Sequence, residues 1–386
     1  MFERKPIVNS LRHSLLLLVI SGVLATACSR QHGTPAPASA GAAPAEEKLL
    51  NLYIWSDYLA QDTIDNFEKQ TGIQVEVSNY GSNEELEAKL SSGHSGYDIV
   101  VPSAPFLERQ LKAGLYLALD KSKLPNLKNM DPEIQKRLAQ HDPQNAHAVL
   151  HMWGTGGIGY NVDKVKAAMP NAPLDSWALI FDPEVVKNFQ KCGITVTDSA
   201  SEMYAMVLIA LGKNANSQKP EDLAAATEAL MRLRPFVRYV DTQRMISDLA
   251  NGEVCLAVGY SGDILQAASR AKENETGQKV AYSIPKQGTI MWFDSYAIPA
   301  DAPHPGNAHR FINYMLQPEV MAAVTNTVHY PNGNSAARQF VSKEILEDPS
   351  IYPPPEVMAK LAPVLAVSEE STRLMTRGWQ RFTTGH

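Results

Sequence analysis

The stretch Leu49-Leu50-Asn51-Leu52-Tyr53-Ile54-Trp55-Ser56-Asp57-Tyr58 decides how the chain is read. An apolar strand runs straight into two aromatics, a hydroxyl and a carboxylate. In an open α/β sheet, ligands gather beyond the carboxyl ends of the strands, so a first strand with this ending delivers ring faces and oxygen acceptors to that rim. These groups hold an organic cation. An aromatic face attracts an ammonium by roughly 0.5 to 2 kcal/mol, and a carboxylate adds a charge-assisted hydrogen bond. Taken alone, the stretch has a plainer reading, with Trp55 and Tyr58 in the core and Asp57 capping the next helix.

The alternation of elements beyond the first strand favours the rim. The pattern predicts a helix over Thr63 to Thr71 stopped by Gly72, a strand Ile73 to Val77 and a helix Asn83 to Leu90. A strand Tyr97 to Val101 comes next, broken by Pro102-Ser103, and then a helix Phe106 to Leu111. Three strands joined by such helices imply a parallel sheet with right-handed crossovers, which puts Ser103 on the same rim as Trp55. Lys121 to Asn145 reads as a polar, proline-rich linker holding one helix. Strand-like His147 to Trp153 then meets Gly154-Thr155-Gly156-Gly157-Ile158-Gly159, a match to G-x-G-x-x-G. A dinucleotide loop would open a helix at once, but Ile158 to Asn161 reads as extended chain and the helix starts near Asp163. The glycines therefore read as a crossing between lobes.

A second α/β unit begins near Trp177. It comprises a helix Pro183 to Lys191, a strand Ile194 to Thr197, and Asp198-Ser199-Ala200-Ser201-Glu202 opening a helix through Leu211. A helix Pro220 to Leu233, a strand Val237 to Val240, a helix Gln243 to Leu249 and a strand Glu253 to Gly259 complete it. Tyr260-Ser261-Gly262-Asp263 then turns into a helix Ile264 to Ala271, repeating the strand-end signature of the first unit. The return crossing falls near Val280 to Ile298. Within it the period of two puts Trp292, Asp294 and Tyr296 on one face, and a carboxylate between two rings on a buried strand is costly without a cationic partner. The remainder reads as helices Asn307 to Leu316, Pro318 to Thr325, Pro355 to Leu361 and Glu369 to Arg381, with Tyr330 to Asn334 extended. Plainer readings exist here too: Ser199-x-x-Glu202 has capping-box spacing, Asp263 could cap its helix, and Tyr330 could be a core residue.

With 386 residues, 44% hydrophobic and 20% charged, the chain is long enough for two domains with cores of their own. A formal charge of −6 argues against nucleic acid, which wants a basic stripe. Arg4, Lys5 and Arg12 precede an apolar run from Leu15 to Leu24, too short to span a bilayer, and Ala25-Thr26-Ala27 precedes Cys28: an export signal. Residues 29–47 are mostly Ala, Pro, Ser and Gly without periodicity, a flexible tether. Leu24-Ala25-Thr26-Ala27-Cys28 resembles a lipoprotein cleavage site in which Cys28 becomes the lipidated terminus, although Ala-x-Ala also suits ordinary cleavage. Cys192 and Cys255 then remain, an even pair that suits one disulfide in an oxidising compartment, with two buried thiols as the alternative. His141, His147 and His151 have no convergent acid or cysteine, so no metal site is expected.

With Trp55-Ser56-Asp57-Tyr58, Val101-Pro102-Ser103, Gly259-Tyr260-Ser261-Gly262-Asp263 and Trp292-Phe293-Asp294 in view, the chain resembles the periplasmic polyamine-binding proteins of bacterial ABC importers, nearest their putrescine-type branch. The likeness runs from Lys48 to Thr384 and takes in Asn66 to Ile73, Leu115 to Leu124, Gly157 to Val165 and Ile246 to Gly252. It implies an α/β, two-lobed periplasmic binding protein of type II that closes on a hinge, each lobe a mainly parallel sheet flanked by helices. Residues 48–155 plus about 276–320 would form the first lobe, and 156–275 plus about 321–386 the second. The implied function is capture of a linear polyamine, putrescine or spermidine, and its delivery to an inner-membrane ABC permease. The protein would be a periplasmic monomer without cofactor, metal or catalysis.

Carried over residue by residue, Trp55, Tyr58, Trp292 and Tyr330 match the aromatics that box the ligand. Ser56, Asp57 and Ser103 match polar contacts of the first lobe, and Glu202, Asp263 and Asp294 the carboxylates that receive the amines. The likeness also pairs Cys192 with Cys255. Tyr260 stands where some putrescine-binding members carry Trp, and Pro105 where they carry Ser, changes that bear on the width of the box. The rivals are a signalling receptor that senses polyamines, a binding protein for another cationic or polar solute, and a glycosidase. The last would need paired acids with one raised pKa across a sugar site.

Overall fold

The structure is a computed structural model, and it describes residues 46–385. The expected export signal, Cys28 and the tether up to residue 45 lie outside the described residues. Ten strands organise the rest: β1 (Leu49–Trp55), β2 (Gln74–Tyr80), β3 (Ile99–Val100), β4 (Ala148–Asn161), β5 (Ile194–Val196), β6 (Val237–Val240), β7 (Leu256–Tyr260), β8 (Val280–Ser283), β9 (Thr289–Ala297) and β10 (Leu361–Pro363). Their order is β2-β1-β3-β9-β4-β7-β5-β6, with β8 on β4 and β10 on β9. β1 runs parallel to β2 and β3, and β5 runs parallel to β6 and β7. These are the two α/β halves expected from the alternating pattern, and the protein is two-lobed.

Two long strands tie the halves together. β4 pairs antiparallel with β9 over Ala148 to Thr155 and with β7 over Gly156 to Tyr160. The glycine run that mimics a nucleotide loop thus continues as strand across the junction, and no helix opens from it. β9 is buried along its whole length and β4 nearly so, which suits their Leu, Ile, Met, Trp and Phe content and makes them the spine of the core. Each half is accordingly parallel at its outer strands and antiparallel at this spine. The antiparallel pairing arises because the chain crosses and returns as two strands running in opposite directions.

Several local expectations change. The helix Pro183 to Lys191 is a four-residue α-helix, Pro183–Val186, continued by a 3-10 turn, Lys187–Phe189. The helix Pro355 to Leu361 stops at Met358, because the chain then turns to lay β10 along β9. The segment after about 321 does not belong wholly with the second half. Asp131 N donates to Gly333 O (2.7 Å), Ser335 Oγ donates to Asn129 O (3.0 Å), and Trp153 N donates to Pro331 O (3.0 Å), which fastens residues 331–335 to the first half and to β4. The final helix, Glu369–Thr384, does pack on the second-half helices Ala200–Ala210 and Pro220–Leu233. Cys192 and Cys255 form a disulfide, Cα atoms 5.5 Å apart, that joins the approaches to β5 and β7.

Candidate functional site

A cleft of about 200 Å³ opens where β1, β5, β7 and β9 present their ends. Each side chain arrives there for a local reason. β1 ends at Trp55, whose indole Nε1 donates to Val101 O (3.0 Å) and whose ring leans on Tyr80 at 4.5 Å, so the ring is held at the cleft edge. The backbone turns at Asp57 through a left-handed conformation (φ 53°), which an aspartate tolerates better than most residues. That turn leaves Ser56 and Asp57 exposed on the rim and drives Tyr58 inward. Ser103 ends the β3 segment and forms a lone antiparallel bridge with Asp294.

β7 ends at Tyr260, and Asp263 follows in the first turn of helix Ser261–Glu273. Tyr330 reaches over that turn because residue 262 is glycine: a Cβ there would stand 2.5 Å from the ring. Gly154 likewise makes room for the Trp292 indole. Trp292 meets Tyr330 edge to face at 4.9 Å and Tyr260 at 5.9 Å, and Tyr330 meets Tyr58 at 5.9 Å, an aromatic box built from residues 58, 260, 292 and 330.

Inside the box, each of three carboxylates is met by a tyrosine hydroxyl. Tyr58 donates to Asp294 Oδ2 (2.9 Å), Tyr330 donates to Asp263 Oδ1 (2.8 Å), and Tyr260 donates to Glu202 Oε2. The other oxygen of Asp294 accepts from Ser103 Oγ (2.6 Å). The Asn83 amide directs that hydroxyl, since its Nδ2 donates to Ser103 Oγ (2.9 Å) and its Oδ1 accepts from Ser103 N (3.0 Å). Asn83 begins the helix Asn83–Ser91, capped by Ser82.

The charge balance is lopsided. Asp57, Glu84, Asp198, Glu202, Asp263 and Asp294 line the cleft against one basic residue, Arg270, which reaches Asp57 at the rim (3.3 Å). Burial pushes Asp294 up to about 7, with Glu202 and Asp263 adding repulsion and the Ser103 and Tyr58 hydroxyls pulling the other way. Burial likewise raises Asp263 to about 6, against the Tyr330 hydroxyl and Arg270, and it raises Glu202 and Glu84. Carboxylates so placed want an outside cation.

A second layer steadies Tyr58. The pairing of β4 with β9 slips by one residue between Leu150 and Met152, and the extra residue is His151. His151 Nε2 lies 3.2 Å from Tyr58 O and Nδ1 lies 2.8 Å from Tyr296 OH. A carbonyl only accepts, so Nε2 carries the proton, and Tyr296 donates to Nδ1. Burial holds this ring neutral by lowering its pKa to about 3. Tyr296 shares the β9 face with Trp292 and Asp294 but does not line the cleft; it supports the box from beneath.

The structure brings Trp55, Ser56, Asp57, Tyr58, Ser103, Glu202, Tyr260, Asp263, Trp292, Asp294 and Tyr330 to this one cleft. The plainer readings give way in turn. Asp62, not Asp57, stands at the start of the next helix, the Ser199 side chain makes no capping bond, and Asp263 lies inside its helix with Tyr260 at the cap position. The sequence patterns did not single out Asn83, Glu84, Asp198 or Arg270. Asp198 stands two residues past the end of β5, so the strand-end rule was enough to find it. Arg270 sits mid-helix with no local signature. Among the described residues no group of three or more acids, histidines and cysteines could hold a metal.

Two α/β halves, a two-strand crossing and a cleft between them define a two-lobed solute-binding protein. The chain belongs to the bacterial extracellular solute-binding protein family, whose model matches residues 62–353. It is 50% identical over 349 residues to the putrescine-binding periplasmic protein PotF of Escherichia coli, covering 90% of this chain and 94% of that one. It is 49% identical to the putrescine-binding periplasmic protein SpuD of Pseudomonas aeruginosa, covering 88% and 93%. Among solved structures, the substrate-binding protein PotD of a spermidine/putrescine ABC transporter from Streptococcus pneumoniae superposes with a TM-score of 0.72 at 28% identity, covering 88% of this chain and 99% of that one.

Proposed function

We propose that the cleft captures a linear aliphatic polyamine, putrescine or spermidine, and that the protein delivers it to an inner-membrane ABC permease. The observation that carries this reading is the set of buried acids, Asp294, Asp263 and Glu202, facing ring walls with no lysine among the lining residues. Stripping water from an ammonium costs several kcal/mol unless a carboxylate meets it in good geometry, and each methylene against the rings returns at most about 0.8 kcal/mol. A micromolar receptor needs about 8 kcal/mol net, so the ion pairs and the aromatic walls must both contribute. Named relatives that bind putrescine support the same ligand class.

The eleven cleft residues are the proposed contacts. β4 near Thr155-Gly156, where its partner changes from β9 to β7, is the proposed hinge. Closure is supported by contacts that span the halves, Asp57 with Arg270 and Tyr330 with Asp263, which a bridging ligand would reinforce. The protein acts as a monomer, binds without turnover and takes no nucleic acid. No helix among the described residues is long and apolar enough to cross a membrane. Lipidated Cys28, following an export signal, is the proposed periplasmic anchor.

The test is a thermal-shift panel of putrescine, cadaverine, spermidine, spermine, agmatine and maltose, with calorimetry on whatever stabilises. A shift with maltose, or with none of the amines, would sink the reading.

A further inference from the structure

Side-chain hydroxyls hold the backbone at the point where β4 changes partner. Thr155 is the last residue of β4 paired with β9, opposite Met291, and Gly156 is the first paired with β7, opposite Tyr260. The two successive carbonyls at this change are each met by a hydroxyl: Tyr282 OH donates to Thr155 O (3.2 Å), and Thr289 Oγ1 donates to Gly156 O (2.7 Å). Tyr282 has a single proton and directs it to that carbonyl, so at the 2.8 Å contact between Tyr282 OH and Thr155 Oγ1 the threonine is the donor. All three residues are buried, and none lines the ligand cleft.

These bonds join parts that move against each other when the cleft closes. Tyr282 lies on β8, which pairs with β4 only beyond the change, over Ile158 to Asn161, and its ring sits in a second-half cluster with Met245, Leu249 and Ile264. Its hydroxyl therefore reaches back from the second half to the last residue held in the ladder of the first. Gly157 opens the way, since a Cβ there would stand 2.6 Å from the tyrosine ring. Thr289 begins β9, the strand on which the chain returns, so its bond stitches the two crossings to each other. We infer that Tyr282 is a positioning residue for closure: its bonds are satisfied at the hinge angle that brings Asp57 to Arg270 and Tyr330 to Asp263, and they favour that closed arrangement over the open one. The inference rests on the hinge-closing polyamine reading above and adds to it residues that never touch the ligand. A buried carbonyl that loses its donor is costly, so a chain without this phenol hydroxyl closes less firmly.

The experiment is stopped-flow binding of putrescine to the full chain, read through tryptophan fluorescence, since Trp55 and Trp292 stand in the cleft. Tyr282→Phe keeps the ring in its cluster and removes the hydroxyl. It should raise the dissociation rate about three- to tenfold, the worth of one buried hydrogen bond, and leave the association rate within about twofold, because the open cleft is untouched. Thr289→Val strips the donor from Gly156 O at similar shape; it should act in the same direction and serves where the first variant folds poorly. A merely structural role would lower the denaturation midpoint and leave the dissociation rate alone. That outcome would overturn the part of Tyr282 in closure and leave the polyamine reading standing, whereas failure of the wild type to bind any polyamine would overturn both.

Discussion

Lowering the pH from 8 to 6 should loosen the complex well above the usual carboxylate range. In the empty cleft Asp294 titrates near 7 and Asp263 near 6 because burial disfavours their charges. A bound polyamine needs both ionised, and its own amines resemble lysine and stay protonated throughout this range. Binding must therefore release whatever protons the acids hold. With pKa values of about 7 and about 6, the acids carry about 0.1 proton at pH 8, about 0.6 at pH 7 and about 1.4 at pH 6. Integrated over the interval, affinity for putrescine should fall about 20-fold between pH 8 and pH 6.

Titration calorimetry in buffers of contrasting ionisation enthalpy reads the released protons directly, and the dissociation constants give the slope independently. A constant affinity over this interval, together with no buffer dependence of the heat at pH 6, would show that binding is not linked to these carboxyls. The same shift has an opposite sign for the unliganded fold. Asp294 has a folded pKa above its unfolded value, so its contribution to stability is fully present below about 4 and is lost as pH rises through about 7. The amount is on the order of 4 kcal/mol.

Asp294→Asn should weaken polyamine binding by about tenfold or more, since it removes a desolvated ion pair. At neutral pH the unliganded variant should melt no lower than the wild type, because the amide sheds a charge the fold holds at a cost; lost affinity with a collapsed transition would instead mark Asp294 as structural. Gly262→Ala puts a methyl 2.5 Å from the Tyr330 ring, and the overpacking should cost about 1–3 kcal/mol of stability by denaturant titration and loosen ligand as the ring moves off Asp263. Tyr296→Phe leaves His151 Nδ1 without its buried donor and should lower stability by about 1–3 kcal/mol; no change in the denaturation midpoint would remove this pair as the support of Tyr58.

Much of the fold was legible because its rules are local. Strand composition and glycine or proline stops marked most elements, and the rule about carboxyl ends located Trp55, Ser103 and Tyr260. The period of two on β9 set Trp292 and Asp294 on one face. The features that escaped depend on distant partners. Tyr58 meets Asp294 across 236 residues and Asp57 meets Arg270 across 213, so no window of sequence encodes either contact. β10 is three residues with a proline and carries no periodicity; it is a strand because β9 offers it an edge. His151 looked like a stray histidine, and only the slipped register of β4 against β9 gives it its place under the box. The return of residues 331–335 to the first half was hidden for the same reason.

Tyrosine is the partner that lets such a cleft stay empty without losing its charge preference. A lysine against Asp294 or Glu202 would satisfy the carboxylate permanently, and an incoming amine would then have to displace it. A phenol donates a hydrogen bond yet adds no charge, and burial together with the adjacent acids keeps Tyr58, Tyr260 and Tyr330 protonated well above the ordinary tyrosine range. The hydroxyls therefore remain donors whether the cleft is full or empty. They trim the cost of the buried acids without cancelling it, since Asp294 and Asp263 stay raised despite them. That uncancelled remainder is what a cationic guest relieves, so the ligand class follows from which neutral donors the fold supplies as much as from the acids themselves.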